Sequence, residues 1–178
     1  MKRTVLGFIA ASLVALAQPA LAQKTAGEVL DDNTINASVK AALIGAEGVP
    51  STQVNVETYR GIVLLSGFVE TQAQKDAAAK AAKDVSGVQK IHNAVALHPS
   101  TSMGTKLDDT VITGKVKAAL MDDKDVKSGQ INVETKGGIV QLAGFVTGDK
   151  MQKRAVEIAK GVSGVTRVED AMYVKPAE

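Results

Sequence analysis

Few residues in this 178-residue chain are of types that do covalent or acid–base chemistry. There are two histidines, His92 and His98, and no cysteine. Paired imidazoles can begin a zinc site, but such a site needs further N, S or carboxylate ligands. None lies close by in sequence, and the pair reads as surface histidines. The acid pairs Asp31-Asp32 and Asp108-Asp109 each precede an apolar run of helical period, where carboxylates cap a helix. Asp122-Asp123-Lys124-Asp125 has the composition of a calcium loop. It lacks the glycine and distal glutamate that such a loop needs, so it reads as a solvated turn. Ser66 sits in Leu-Ser-Gly-Phe, not in a nucleophile elbow, and its counterpart in the second half of the sequence is Ala143. No nucleophile, base and acid come together, so the expectation is a non-enzyme with no cofactor and no metal.

Two other groups could bind rather than react. The first is Lys150, Lys153, Arg154 and Lys160, clustered on one helical segment and opposed mainly by Asp149 and Glu157. Basic side chains beside an anionic bilayer each gain about 1 kcal/mol, so these four are the candidate lipid-binding residues. The matching segment of the first half carries Lys75, Lys80 and Lys83 with Asp76 and Asp84. The second group is the outward side of a strand. Alternation that points Val63, Leu65 and Val69 inward points Ile62, Leu64 and Phe68 outward, and the second half repeats this with Ile139, Gln141 and Phe145. Such a face either packs against the other half or binds a partner, and packing of the two halves is the reading favoured.

The elements that position these groups come from an internal repeat. Asp31–Leu97 aligns without a gap on Asp108–Val174, at an offset of 77 residues. QVNVETYRGIVLLSGFV lies over QINVETKGGIVQLAGFV, and KDVSGVQKIHNAVAL over KGVSGVTRVEDAMYV. A period this long makes each copy a domain. Residues 1–22 read as a cleavable signal peptide: Lys2 and Arg3, a short apolar run, then Ala20-Leu21-Ala22. Residues 23–30 read as a lead-in, 98–107 as a Pro/Ser/Thr/Gly linker and 175–178 as a tail. With no cysteine after the apolar run, export without lipidation to the periplasm is expected, with no transmembrane span in the mature protein. Of the 21 basic and 19 acidic residues, Lys2 and Arg3 leave with the signal peptide. The remaining 19 against 19 argues against general nucleic-acid binding.

Within each copy the pattern is the same. Asp32 or Asp109 caps a first helix with Ile35, Val39 and Leu43, or Ile112, Val116 and Leu120, on its inner face. An alternating strand and a glycine turn form a hairpin with Ile62–Val69 or its counterpart. A helix lined by Ala77, Ala78, Ala81 and Ala82 follows, ends at Ser86-Gly87, and leads to a last strand. The predicted class is α+β: two tandem small domains, each helix–strand–strand–helix–strand, with a three-stranded sheet covered on one face by two helices.

This element order, the GIVLLSGFV segment and the VSGV turn resemble the BON domain family in both copies, and specifically its two-domain periplasmic members of the OsmY type. The resemblance implies a non-catalytic envelope protein of osmotic stress that associates with phospholipid surfaces. The alternative is a periplasmic chaperone or adaptor that binds exported proteins. The family pattern often has Asn in the last strand; Asn93 fits it, whereas the second copy has Asp170. The partner is thus expected to be anionic phospholipid or an envelope or exported protein.

Overall fold

A computed structural model describes residues 26–98 and 106–176, with the side chains of 26–30 and 106–107 left aside. The expected signal peptide lies outside the described residues, as do 99–105 of the linker and 177–178 of the tail.

The first copy runs α1 (Ala26–Gly45), β1 (Val54–Tyr59), β2 (Ile62–Val69), α2 (Gln72–Lys83), β3 (Lys90–Asn93) and β4 (Ala96–Leu97). The second runs α3 (Lys106–Asp122), β5 (Asn132–Lys136), β6 (Ile139–Val146), α4 (Asp149–Lys160) and β7 (Arg167–Val174). In each sheet the middle strand, β2 or β6, pairs antiparallel with the preceding strand and parallel with the last one. β3 and β4 are one last strand interrupted at Ala94-Val95; β7 is its unbroken counterpart.

Apolar spacing places the helices. Ile35, Val39 and Leu43 recur every four residues on α1, and Ile112, Val116 and Leu120 do so on α3; all six are buried against the sheet. α2 and α4 come close to their sheets through Ala78, Ala82, Ala155 and Ala159, none of which is exposed. Thr71 starts α2 with a capping box: its hydroxyl accepts from Gln74 N while Gln74 Oε1 accepts from Thr71 N. Each domain has its own core between helices and sheet, with Val63, Leu65 and Val69 at the centre of one and Val140, Leu142 and Val146 of the other.

The role expected for the acid pairs is corrected. α1 begins at Ala26, inside the stretch read as a lead-in, and α3 begins at Lys106, so neither Asp32 nor Asp109 is a cap. Both point from the helix to the hairpin turn. Asp32 accepts from Arg60 N at 2.7 Å and Gly61 N at 2.9 Å; Asp109 accepts from Gly137 N at 2.8 Å and Gly138 N at 2.9 Å. These are two-residue turns with both central residues at positive φ, 50° and 72° in one and 61° and 76° in the other. Arg60 has no glycine's freedom there, and the carboxylate holds its amide in place.

Gly67 and Gly144 are required by close approach. A Cβ at either would lie 2.1 Å from a carbonyl oxygen, of Gln53 or of Gln130. The backbone at the start of the hairpin fills the space a side chain needs.

Candidate functional site

The outward sides of the two sheets meet. Leu64, Ala143, Phe145 and Ala171 form a buried cluster, flanked by Tyr59, Ile62, Ala94 and Tyr173. The molecule is therefore four layers: helices, sheet, sheet, helices. An approximate dyad relates the halves. A Cβ on Gly67 would sit 3.4 Å from Glu134 Oε2, and one on Gly144 would sit 3.5 Å from Glu57 Oε2. Of the five residues of the expected interaction face, Leu64 and Phe145 lie in this cluster and Ile62 packs against it. Leu64, Phe68 and Phe145 are buried, Ile62 and Ile139 half-buried. The face is covered by the other half of the same molecule and is not open to an outside partner in this arrangement.

The seam also holds polar groups. Gln141, 2% exposed, accepts from Gly67 N through Oε1 and donates Nε2 to Ala94 O at 2.9 Å. Both partners are backbone groups of the first domain. Ala94 lies at the interruption of its last strand. In the second domain β7 is unbroken, and the residue matching Gln141 is the apolar Leu64. Asn55 Nδ2 donates to Glu134 Oε1 across the seam. Glu57 lies in the same layer; burial pushes its carboxyl above the usual range, and Lys40 draws it partly back.

Aromatic rings close the edges. Tyr59 lies 5.5 Å from Phe145, and His92 meets Tyr173 edge-on at 5.5 Å. Lys175 Nζ stands 4.5 Å from the Tyr59 centroid. The histidines are thus seam residues, which corrects their reading as surface groups. His98 packs edge-on to Phe68, and its buried Nδ1 has no hydrogen-bond partner among the described residues. Among the described residues no cluster of three or more His, Asp or Glu is arranged to hold a metal.

The helical layer of the second domain carries the basic group. α4 buries Met151, Ala155 and Ala159 and turns Lys150, Lys153, Arg154 and Lys160 outward, all exposed. Arg154 is engaged. Its Nε and Nη2 donate to Asp123 Oδ2 at 2.9 and 2.8 Å, and the guanidinium holds the Asp123 carboxyl below its ordinary value. Asp123 Oδ1 also accepts from Asp125 N at 3.0 Å, so the Asp-rich segment is a structured turn tied to α4. This tie brings the end of α3 beside α4. There Met121 is 71% exposed, and Val111 on the same helix is 55% exposed. Lys115 and Lys117 are exposed on α3 as well. The sequence reading missed these apolar residues; their signal was that they fall off the Ile112/Val116/Leu120 face. No described helix is long and apolar enough to cross a membrane.

Asn93 and Asp170 do one local job in common. Asn93 Oδ1 accepts from Val95 N at 3.3 Å, and Asp170 Oδ1 accepts from Met172 N at 3.1 Å. Each occupies an N–H two residues on, on the unpaired edge of its last strand, where a free N–H invites pairing with another polypeptide. The other side-chain atom reaches the second helix: Asn93 Nδ2 donates to Lys75 O, and Asp170 Oδ2 accepts from Gln152 Nε2, both at 3.0 Å. The change from Asn to Asp reverses the bond's direction and keeps the link.

Comparison with known proteins bears on both halves. Residues 31–99 and 108–176 each match the BON domain. The chain is 40% identical over 151 residues to Osmotically-inducible protein Y of Escherichia coli, covering 84% of this chain and 75% of that one. It is 36% identical over 150 residues to Outer membrane lipoprotein DolP of Haemophilus influenzae, covering 82% and 75%. A solved structure of CdsD, a structural protein of the type III secretion system of Chlamydia trachomatis, is a remote likeness. Its TM-score is 0.35 at 15% identity, over 83% of this chain and 65% of that one.

Proposed function

Because this chain belongs to the BON domain family, with one domain in each half, we propose that it is a non-enzymatic envelope protein of osmotic stress. In this reading it works in the periplasm and binds anionic phospholipid surfaces through the helical layer of its second domain. The printed names of two relatives support the setting: one is osmotically inducible, the other an outer-membrane lipoprotein.

The observation that carries the lipid reading is the α3/α4 surface. Lys150, Lys153 and Lys160 are exposed on one side of α4, and Val111 and Met121 are exposed on the neighbouring helix. Apolar side chains beside lysines suit an interface of headgroups and acyl chains. The main apolar faces are otherwise spent, the helix faces in the cores and the sheet faces in the seam; in the first domain Ile44, the counterpart of Met121, and Leu97 are exposed as well. Arg154 contributes less, since its charge is already paired with Asp123.

Binding should be electrostatic in origin and fade with salt, as the Debye length falls from about 10 Å at 0.1 M to about 3 Å at 1 M. The test is co-sedimentation with anionic and with zwitterionic vesicles. Equal binding to both would overturn the charge-based reading.

A further inference from the structure

We infer that a cleft in the first domain binds a small sugar, and that the matching cleft of the second domain does not. The cleft belongs to the first domain alone, so the inference does not rest on the lipid surface of the second.

In each domain a cleft opens between the first helix, the hairpin turn and the Ser-Gly turn after the second helix. The ten residues that line one match the ten that line the other, position by position, at the offset of 77 residues. The frame is common to both. Ile35 or Ile112 forms an apolar floor and packs on Gly87 or Gly164, so closely that a Cβ on either glycine would lie 2.9 Å from it. Asp32 or Asp109 fixes the hairpin turn that forms one wall. The volumes differ, about 710 Å³ in the first domain against about 380 Å³ in the second. Small-molecule sites run from about 300 to 1,000 Å³, so the first cleft has room for a sugar and the second is near the lower limit.

Four of the ten positions differ in type, and they account for the contrast. Ser38 stands where the second domain has Lys115, and its short side chain takes less of the cleft than a lysine stem. Thr34 stands where the second domain has Val111, which exchanges a methyl for a hydroxyl at constant size. Arg60 and Gln89 replace Gly137 and Thr166 and raise the walls. Gln89 is held in place: its N donates to Gly61 O at 2.9 Å, and its Cγ lies 2.9 Å from where a Cβ on Gly61 would stand. Each change adds room, depth or a polar group to the first cleft.

The chemistry of the lining selects the ligand. Thr34, Ser38 and Ser86 present hydroxyls, which donate and accept; the Gln89 amide does both, and Asp31 accepts. A sugar hydroxyl also donates and accepts, and planar amide and carboxylate groups match pairs of adjacent hydroxyls. Ile35 suits the C–H face of a sugar ring. Two carboxylates against the one guanidinium of Arg60 disfavour an anion. Hydroxyls and an amide suit a neutral polyol better than a bare hard cation, which takes six or more oxygen ligands.

The test is a titration of the isotope-labelled full-length protein with maltose, read by amide chemical shifts. Saturable shifts with a millimolar Kd are expected at Thr34, Ser38, Gly61 and Gln89, and none at Val111, Lys115, Gly138 and Thr166. Glycine betaine, a zwitterion without hydroxyls, should move neither set. Ser38→Lys installs the residue that the second domain carries at this position in the same fold, and should abolish the shifts. Gln89→Thr, made on the same principle, should raise the Kd about three- to tenfold, the worth of one hydrogen bond. Unchanged amide shifts away from the cleft show that each variant keeps the fold. Absence of saturable shifts with maltose would overturn the inference. So would equal shifts in the two clefts, the same response to glycine betaine, or an unchanged Kd in both variants.

Discussion

Replacing Asp109 separates two roles that a carboxylate near a helix start can have. At a cap, Asn serves as well as Asp, and only Ala is costly. In this fold Asp109 spans from α3 to the hairpin turn and accepts from Gly137 N at 2.8 Å and Gly138 N at 2.9 Å, one on each oxygen. A hydrogen bond to a charged group is worth about 1.5–3 kcal/mol. The turn is half-buried, so water recovers part of this, and Asp109→Ala should cost about 2–4 kcal/mol. Asp109→Asn keeps one acceptor and turns an NH2 toward the second amide, which should cost about half as much. The assay is urea unfolding followed by circular dichroism, with Cm compared at a common slope. Asp32→Asn should repeat the result in the first domain. If both Asn variants match the unsubstituted protein within about 0.3 kcal/mol while the Ala variants fall, the clamp is wrong and capping is right.

Three further substitutions test other links. Gly67→Ala forces a Cβ to 2.1 Å from Gln53 O at a φ of 112°, and should cost about 3 kcal/mol or more in the same urea assay. Burial raises the Glu57 carboxyl above its ordinary 4.5, so its ionised form weighs against the closed fold. Glu57→Gln should match the unsubstituted protein well below pH 4.5 and become the more stable of the two as pH rises through the raised value; no difference at pH 7 would contradict this. Arg154 holds the Asp123 carboxyl below 3.8, so the pair stabilises the fold above that pH and its contribution fades as pH falls through the lowered value. Arg154→Ala should weaken this acid-side dependence, leaving the part held by the Asp125 N–H, read by titrating Asp123 by NMR, and leave vesicle binding nearly intact.

The architecture was legible because each copy keeps strict periods. Ile35/Val39/Leu43 and Val63/Leu65/Val69 mark buried faces by their spacing, and the second copy repeats them. The outward strand face was also legible as a surface needing cover. What the spacing could not carry was anything set by a partner distant in sequence. Asp32 and Asp109 look like caps because a cap and a clamp both put Asp near a helix start; only the hairpin's position distinguishes them. Alternation places Gln141 on that same outward face, but its backbone partners in the other domain, Gly67 and Ala94, could not be read from spacing. Arg154 counts as a free charge until the fold brings Asp123 to it. His92 and His98 become seam residues only once the two sheets are stacked.

The central claim is that the exposed lysines of α4 hold the protein on anionic lipid. The direct measurement is co-sedimentation of the protein with anionic vesicles at low salt, comparing it with the triple variant Lys150→Ala, Lys153→Ala, Lys160→Ala. At about 1 kcal/mol per lysine the variant should lose about 3 kcal/mol, a drop in affinity of somewhat over a hundredfold. A circular dichroism spectrum like that of the unsubstituted protein shows that the fold is kept. Affinity reduced less than about threefold, with the fold kept, would show that this surface does not bind the membrane.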